Sequence, residues 1–251
     1  MAELRAVVEY LDGYLDIGGV PDYEGAHNGL QVANSGSVGR VAAAVDASER
    51  TIAEAVRRGC DLLLVHHGLF WDGGSPVTGR RYRKLQPLLT ADVAVYSAHL
   101  PLDVHAEVGN NAVLARELGV ELEGRFGEYR GADLGWWGRV ELKREVLAAR
   151  LDETLGGRVR MLAFGPEVVR TVGVITGGGG SLIGVAATAG LDAYITGEGA
   201  HHTYFDAEEL GMNVFYGGHY ATETWGVKAL AEHLESRFGL EWEFIDHPTG
   251  L

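Results

Sequence analysis

Histidines and carboxylates gather at four places in this chain, each just after a short apolar run. The segments are DLLLV-His66-His67-Gly68, VAVYSA-His99-LPL-Asp103-V-His105, DAYIT-Gly197-Glu198-GA-His201-His202 and NVFYGG-His219-YAT-Glu223. Seven of the ten histidines lie in them. Apolar runs of this length read as buried parallel strands, and ligands in parallel α/β sheets bind beyond the carboxyl ends of strands. One strand-end histidine is ordinarily a hydrogen-bonded core or rim residue; four polar strand ends ask for another account. Imidazole and carboxylate together suit Zn²⁺, Fe²⁺, Mn²⁺ or Ni²⁺. Two adjacent histidines on an extended chain point to opposite sides, so His66 and His67 are expected to reach different ions, or one ion and one outer partner. Asp103 and Glu223 could bridge two ions roughly 3.5–4 Å apart, and a two-ion site with open positions suits activation of water for hydrolysis.

The elements that would carry these residues alternate. Residues 2–16, 49–58, 110–118, 147–155, 182–189 and 224–238 have helical spacing or caps, Asp46–Ser48 supplying one N-cap. Residues 29–32, 38–45, 61–65, 93–97, 140–142, 161–164, 172–176, 193–196 and 214–216 read as strands. Strand–helix alternation predicts an α/β fold with mostly parallel mixed sheets and helices on their faces. A Gly- and charge-rich stretch at 124–138 reads as a linker, so the expected domains are 1–126 and 127–251. The GGGGS loop at 177–181 is either a phosphate-binding turn or a turn that permits close packing; it lacks the G-K-[ST] ending of a P-loop.

The two halves look duplicated. Shifted by 131, residues 41–68 overlay 172–199 without a gap: Val41 meets Val172, Gly59 meets Gly190, Asp61 meets Asp192 and His67 meets Glu198. A second block overlays at a shift of 120, where Tyr96 meets Tyr216, His99 meets His219 and Asp103 meets Glu223. Two similar α/β domains from an internal duplication are therefore expected.

Composition narrows the classes. Hydrophobic residues are 46% and charged residues 22% of 251, an ordinary globular balance. Glycine, at 37 residues, is in excess without a Gly-X-Y period, which points to tight turns rather than collagen. With 35 acids against 21 bases the net charge is −14, which repels a phosphate backbone and disfavours nucleic acid as a partner. Arg80, Arg81, Arg83 and Lys84 form the best basic cluster and read as a solvated helix face. The single cysteine, Cys60, cannot form an intrachain disulfide, in keeping with a cytoplasmic setting. The uncharged run 171–191 holds seven glycines among 21 residues and is a poor membrane span.

HNGLQV at 27–32, DLLLVHHGLFW at 61–71, SAHLPLDVHAEVGNNAVLA at 97–115, AYITGEGAHH at 193–202 and GGHYATETWGVKAL at 217–230 together resemble the NIF-three-like family. Its members are also called type-2 homologues of GTP cyclohydrolase I, or dinuclear-metal-centre hexameric proteins. The resemblance spans nearly the whole chain, in the short form without an inserted domain. It implies His66, His67, Asp103, His219 and Glu223 as ligands of two divalent metal ions per chain, with metals in a cleft between two similar domains. It also implies a toroidal homohexamer. Glu198 reads as a general base or an outer-shell carboxylate; His99, His201 and His202 as outer donors, substrate contacts or proton shuttles. Asn28 and Gln31 are candidate polar contacts. The reading of function is a metal-dependent hydrolase acting on a small molecule, nucleotide-like if the cyclohydrolase label carries over. The alternatives are a metal-handling or regulatory binding protein without turnover, and a ring-shaped scaffold for nucleic acid or protein.

Overall fold

Two sheets carry the polar strand ends, one with four adjacent parallel strands and the other with three. The computed structural model describes residues 1–71 and 75–251. The elements in chain order are β1 (Ala2–Glu3), α1 (Leu4–Tyr14), β2 (Gly29–Val32), β3 (Ser37–Val38), β4 (Arg40–Asp46), α2 (Glu49–Arg57), β5 (Leu62–His67), α3 (Gly79–Thr90), β6 (Ala94–Ser97) and α4 (Leu100–Asp103). There follow α5 (Asn110–Glu117), β7 (Glu121–Tyr129), β8 (Ala132–Lys143), α6 (Arg144–Leu155), β9 (Arg160–Ala163), β10 (Val168–Val174), α7 (Ile183–Thr188), β11 (Ala193–Thr196), α8 (Thr203–Leu210), β12 (Asn213–Tyr216), α9 (His219–Thr222), α10 (Thr224–Phe238) and β13 (Glu241–Phe244).

The first unit comprises Met1–Leu102 with Gly226–His247. Its main sheet has the order β13-β4-β5-β6-β2, parallel except for β2. Val41–Val45 and Leu62–Val65 are fully buried, which is why they read as continuous apolar runs rather than alternating ones. Helix α2 covers one face. Ser48 caps it, its hydroxyl accepting from Thr51 N at 3.1 Å while Ser48 N donates to Thr51 Oγ1 at 2.8 Å. Ile52 and Ala55 then pack on Ala42, Ala44, Leu63 and Val65.

The second unit comprises Asp103–Trp225 with Pro248–Leu251. Its sheet has the order β7-β8-β10-β11-β12-β9, parallel only in the central β10-β11-β12. The expected linker at 124–138 is instead part of the long β7–β8 hairpin, turned at Arg130 (φ 51°) and Gly131 (φ 89°). Its glycines masked the strand alternation, because a strand read from side chains alone is interrupted wherever a glycine faces a neighbouring chain. By its contacts the chain passes between units at Leu102/Asp103, at Trp225/Gly226 and at His247/Pro248. The reason is β13, which joins the first sheet beside β4. Helices α3 and α8 and strand β13 add to the elements expected from sequence.

The internal repeat is visible within each unit. Val41 pairs with Leu62 across β4–β5, and Val172 with Ala193 across β10–β11; both registers are related by the shift of 131. Asp61 Oδ2 accepts from the backbone of Gly39 and Arg40 at 2.7 and 2.9 Å. Asp192 Oδ2 accepts from Arg170 and Thr171 at 2.7 and 3.0 Å, the shifted positions. Gly59 and Gly190 both take positive φ, 65° and 74°, at matching helix ends.

The second block is one residue out. Leu64 pairs with Tyr96, and its counterpart Ile195 pairs with Phe215, so the ladder relates β6 to β12 by 119 rather than 120. Buried Tyr96 answers to buried Phe215, not to Tyr216; a slip of one would turn every side chain to the other face. His99 thus has Gly218 as its counterpart and Asp103 has Thr222, so like residues in the two halves are not like positions.

Candidate metal centre

In the first unit the end of β5 brings three imidazoles together. His66, His67 and His99 each offer a ring nitrogen within 4.8 Å of the others. The His66 and His67 rings are 4.7 Å apart and those of His66 and His99 4.9 Å. Adjacency has therefore not sent His66 and His67 to separate surroundings, as simple strand alternation predicts; His67 is the last residue of β5.

Each ring is held through Nδ1. His66 Nδ1 lies 2.9 Å from the Ala98 carbonyl and His67 Nδ1 2.9 Å from Asp46 Oδ1. Asp46 and His67 are partners across the β4–β5 ladder, which sets that contact. His99 Nδ1 lies 2.9 Å from Asp22 Oδ1. Carbonyl and carboxylate oxygens only accept, so Nδ1 carries the proton in every case and Nε2 is the nitrogen left to face a ligand. Asp22 is itself braced: its Oδ2 accepts from Asn28 Nδ2 at 2.8 Å and Leu100 N at 3.1 Å. Burial pushes the Asp22 carboxyl up, but the hydrogen bonds from His99 and Asn28 outweigh it and hold it below the usual carboxylate range.

The second unit repeats the device with different residues. His219 opens α9; its Nδ1 is 2.8 Å from Glu198 Oε1 and its Nε2 is 3.2 Å from Glu223 Oε2. The hydrogen bond to buried Glu223, opposed by desolvation and reinforced by Glu198, raises the His219 imidazolium to about 9. Two carboxylates on one imidazole make a place that holds a cation. Glu223 has room because residue 177 is glycine: its φ is 66°, and a Cβ there would overlap Glu223 Oε1. Asp103 is buried in the same unit, its Oδ1 accepting from Asn110 Nδ2 at 2.8 Å and from Thr176 Oγ1 at 3.5 Å.

The other sequence candidates divide plainly. Glu198 orients His219. His201 is exposed and meets Phe205 edge-on at 5.7 Å. His202 is exposed at the start of α8, and its side chain makes no hydrogen bond, ion pair or ring contact with any described residue. Asn28 and Gln31 brace loops: Asn28 Oδ1 accepts from His99 N, and Gln31 Oε1 from Leu69 N. The 177–181 loop is a close-packed turn, Tyr194 Oη donating to the Gly179 carbonyl at 2.8 Å. In the basic cluster Arg83 pairs with Glu49, and Lys84 donates to the Ala47 carbonyl. Sequence reading missed Asp22 and Asp46 as anchors. The available signal for Asp46 was its place at a strand end paired with His67; Asp22 in GGVPDYEGAHN offered none.

The three imidazoles of His66, His67 and His99 could hold a metal ion, and the fold around them is mixed α/β. The chain matches the profile of the Duf34/NIF3 (NGG1p interacting factor 3) family over residues 2–250 and belongs to that family. It is 42% identical to a Deinococcus radiodurans protein called GTP cyclohydrolase 1 type 2 homolog, over 98% of this chain and 93% of that one. A protein of the same name from Archaeoglobus fulgidus is also 42% identical, over 99% of each. Among solved structures, protein ybgI, titled as of unknown function, superposes with a TM-score of 0.92 at 38% identity over the full length of both chains. TTHA1606 from Thermus thermophilus superposes at 0.90 with 42% identity, again over both full lengths. No helix among the described residues is long and apolar enough to cross a membrane.

Proposed function

We propose that His66, His67, Asp103, His219 and Glu223 hold two divalent metal ions, and that the protein is a hydrolase working at that centre. The observation that carries this reading is the shared anchoring of the histidines: each proposed imidazole ligand sets its Nδ1 against a fixed acceptor, which turns Nε2 of His66 and His67 away from that acceptor and Nε2 of His219 towards Glu223, its proposed fellow ligand. The donor set of three imidazoles and two carboxylates fits ions of the Zn²⁺, Fe²⁺, Mn²⁺ or Ni²⁺ class. Such a pair, when bound, lowers the pKa of water and stabilises charge developing on a carbonyl, phosphoryl or purine-ring carbon.

The chain's own residues prepare the site. Asp46 and Glu198 fix ring orientation. Gly177 leaves space for the Glu223 carboxylate. His99, held by Asp22 beside His66 and His67, is placed to donate to or accept from a substrate. Glu198, half exposed, keeps a second oxygen for a proton as well as for His219. The names of the relatives favour a nucleotide-like substrate, the family resemblance a homohexamer, and the single cysteine a cytoplasmic setting.

The test is metal content per chain by elemental mass spectrometry, on protein purified without chelator or added metal and again after reconstitution. About two ions per chain, with release of a product from a nucleotide or phosphodiester that stops on chelation, is the expected result. No bound metal after reconstitution would overturn the centre. Metal without turnover on any such substrate would overturn the hydrolase and leave the metal-handling alternative.

A further inference from the structure

The second unit has a cavity of about 860 Å³ whose lining includes Glu198 but none of the proposed metal ligands. Its lining includes Arg158, Arg160, Glu198, His201, Phe205 and Tyr216. Arg160 begins the edge strand β9 directly opposite Tyr216 of β12. Arg158 lies two residues earlier, just before the strand, with buried Val159 between, and both arginines line the cavity.

Neither arginine has an ion-pair partner among the described residues. Arg57, Arg83, Arg139 and Lys143, by contrast, each have a carboxylate. On another wall three rings meet edge to face: His201 and Phe205 at 5.7 Å, Tyr204 and Phe205 at 5.5 Å. Phe205 is 46% exposed, a large apolar surface left to water. Tyr216 is fixed by a 2.6 Å hydrogen bond between its hydroxyl and Thr203 Oγ1. Glu198 lines the cavity with one edge and holds His219 with the other.

We infer that this cavity binds a planar, ring-bearing ligand with an oxyanion, Arg158 and Arg160 taking the phosphate or carboxylate group and Phe205 and His201 flanking the ring. Two arginines read oxyanions through paired N–H donors, and aromatic edges offer a ring partner. Through Glu198 the cavity adjoins the centre, so as a substrate pocket it rests on the hydrolase reading; as an oxyanion pocket it does not.

The experiment is calorimetric titration of the full-length protein, as purified and after chelation, with phenylphosphonate, methylphosphonate and benzyl alcohol. Phenylphosphonate is expected to bind in both preparations. The R158A/R160A variant should weaken it about tenfold or more, while R50A/R170A, which removes two exposed arginines elsewhere, leaves it unchanged. Methylphosphonate should bind about threefold or more weakly than phenylphosphonate, a gap that F205A closes. Equal binding by wild type and R158A/R160A, or no binding by either, would overturn the pocket. Binding that chelation abolishes and the arginines do not affect would place the probe on the metals, and equally overturn the pocket. Arginine-dependent binding in a protein that takes up no metal would retain the pocket and sink the hydrolase.

Discussion

The carboxyl ends of β5 and β11 are the same scaffold carrying different chemistry. Both strands start from an aspartate that accepts two backbone N–H groups of the neighbouring strand, Asp61 in one unit and Asp192 in the other. Both follow a helix closed by a left-handed glycine. At the far end the likeness stops. Where the first unit has Asp46, His66 and His67, the second has Gly177, Gly197 and Glu198. In the first, the strand supplies the imidazole and its neighbour the carboxylate; in the second, the strand supplies the carboxylate and α9 the imidazole. The duplicated parts are those that hold the sheets, and the divergent parts are those proposed to face a ligand. Fold-level repetition therefore fixes where ligands sit without fixing which residue types sit there.

The comparison can be broken most severely at the ligands. H66A and H219A, one from each unit, should each lower metal affinity at least about a hundredfold in chelator competition, since each removes a donor itself rather than its support. If only one does so, the residue without effect is not a ligand. D46N and E198Q come next: as equivalent anchors in the two halves, they should each cost about 10–100-fold in the same assay while leaving the melting temperature nearly unchanged. A loss with E198Q alone would make the first unit's anchor structural.

G177A tests the glycine that replaces Asp46. A Cβ there meets Glu223 and the backbone is left-handed, so we expect a loss of about 2–3 kcal/mol by urea denaturation. Its neighbour Gly178 has negative φ, and a Cβ there would make only ordinary contacts at 3.9 Å, so G178A should be near neutral. D61A and D192A should each cost about 1–2 kcal/mol, with the double variant additive, because equivalent caps in separate units share no partners. The smallest effect concerns Cys60, whose counterpart at the shift of 131 is Leu191. Both are buried, and burial foremost pushes the Cys60 thiol up to about 11. At pH 8 about one thiol in a thousand is then ionised, so labelling by a disulfide reagent should be slow until the chain unfolds. Rapid labelling would make Cys60 more than a packing residue.

Much of this was legible in the residues. The strand ends announced themselves because histidine is scarce in apolar runs, and Ala193–Thr196 and Thr224–Phe238 were bounded as the structure has them. The β7–β8 hairpin was not, because a glycine at every third or fourth position removes the side-chain alternation by which a strand is read. The anchors were also hidden: an aspartate that holds a histidine looks like any loop aspartate until the fold brings it there, as Asp22 shows across 77 residues. The repeat overlay found Glu198, since it stands where His67 stands. It misaligned His99 with His219, since matching by residue type overlooks the ladder register.

Strand β13 carries a consequence for biosynthesis. The first sheet leaves one side of β4 unpaired until residues 241–244 arrive to close it. The second sheet is complete once β12 has emerged, at residue 216. A chain made from its N-terminus therefore finishes its second sheet before its first. In the interval β4 presents an open edge to other nascent chains. Helix α10 and the strand after it are thus the segment whose late delivery on the ribosome decides when the protein stops being prone to aggregate.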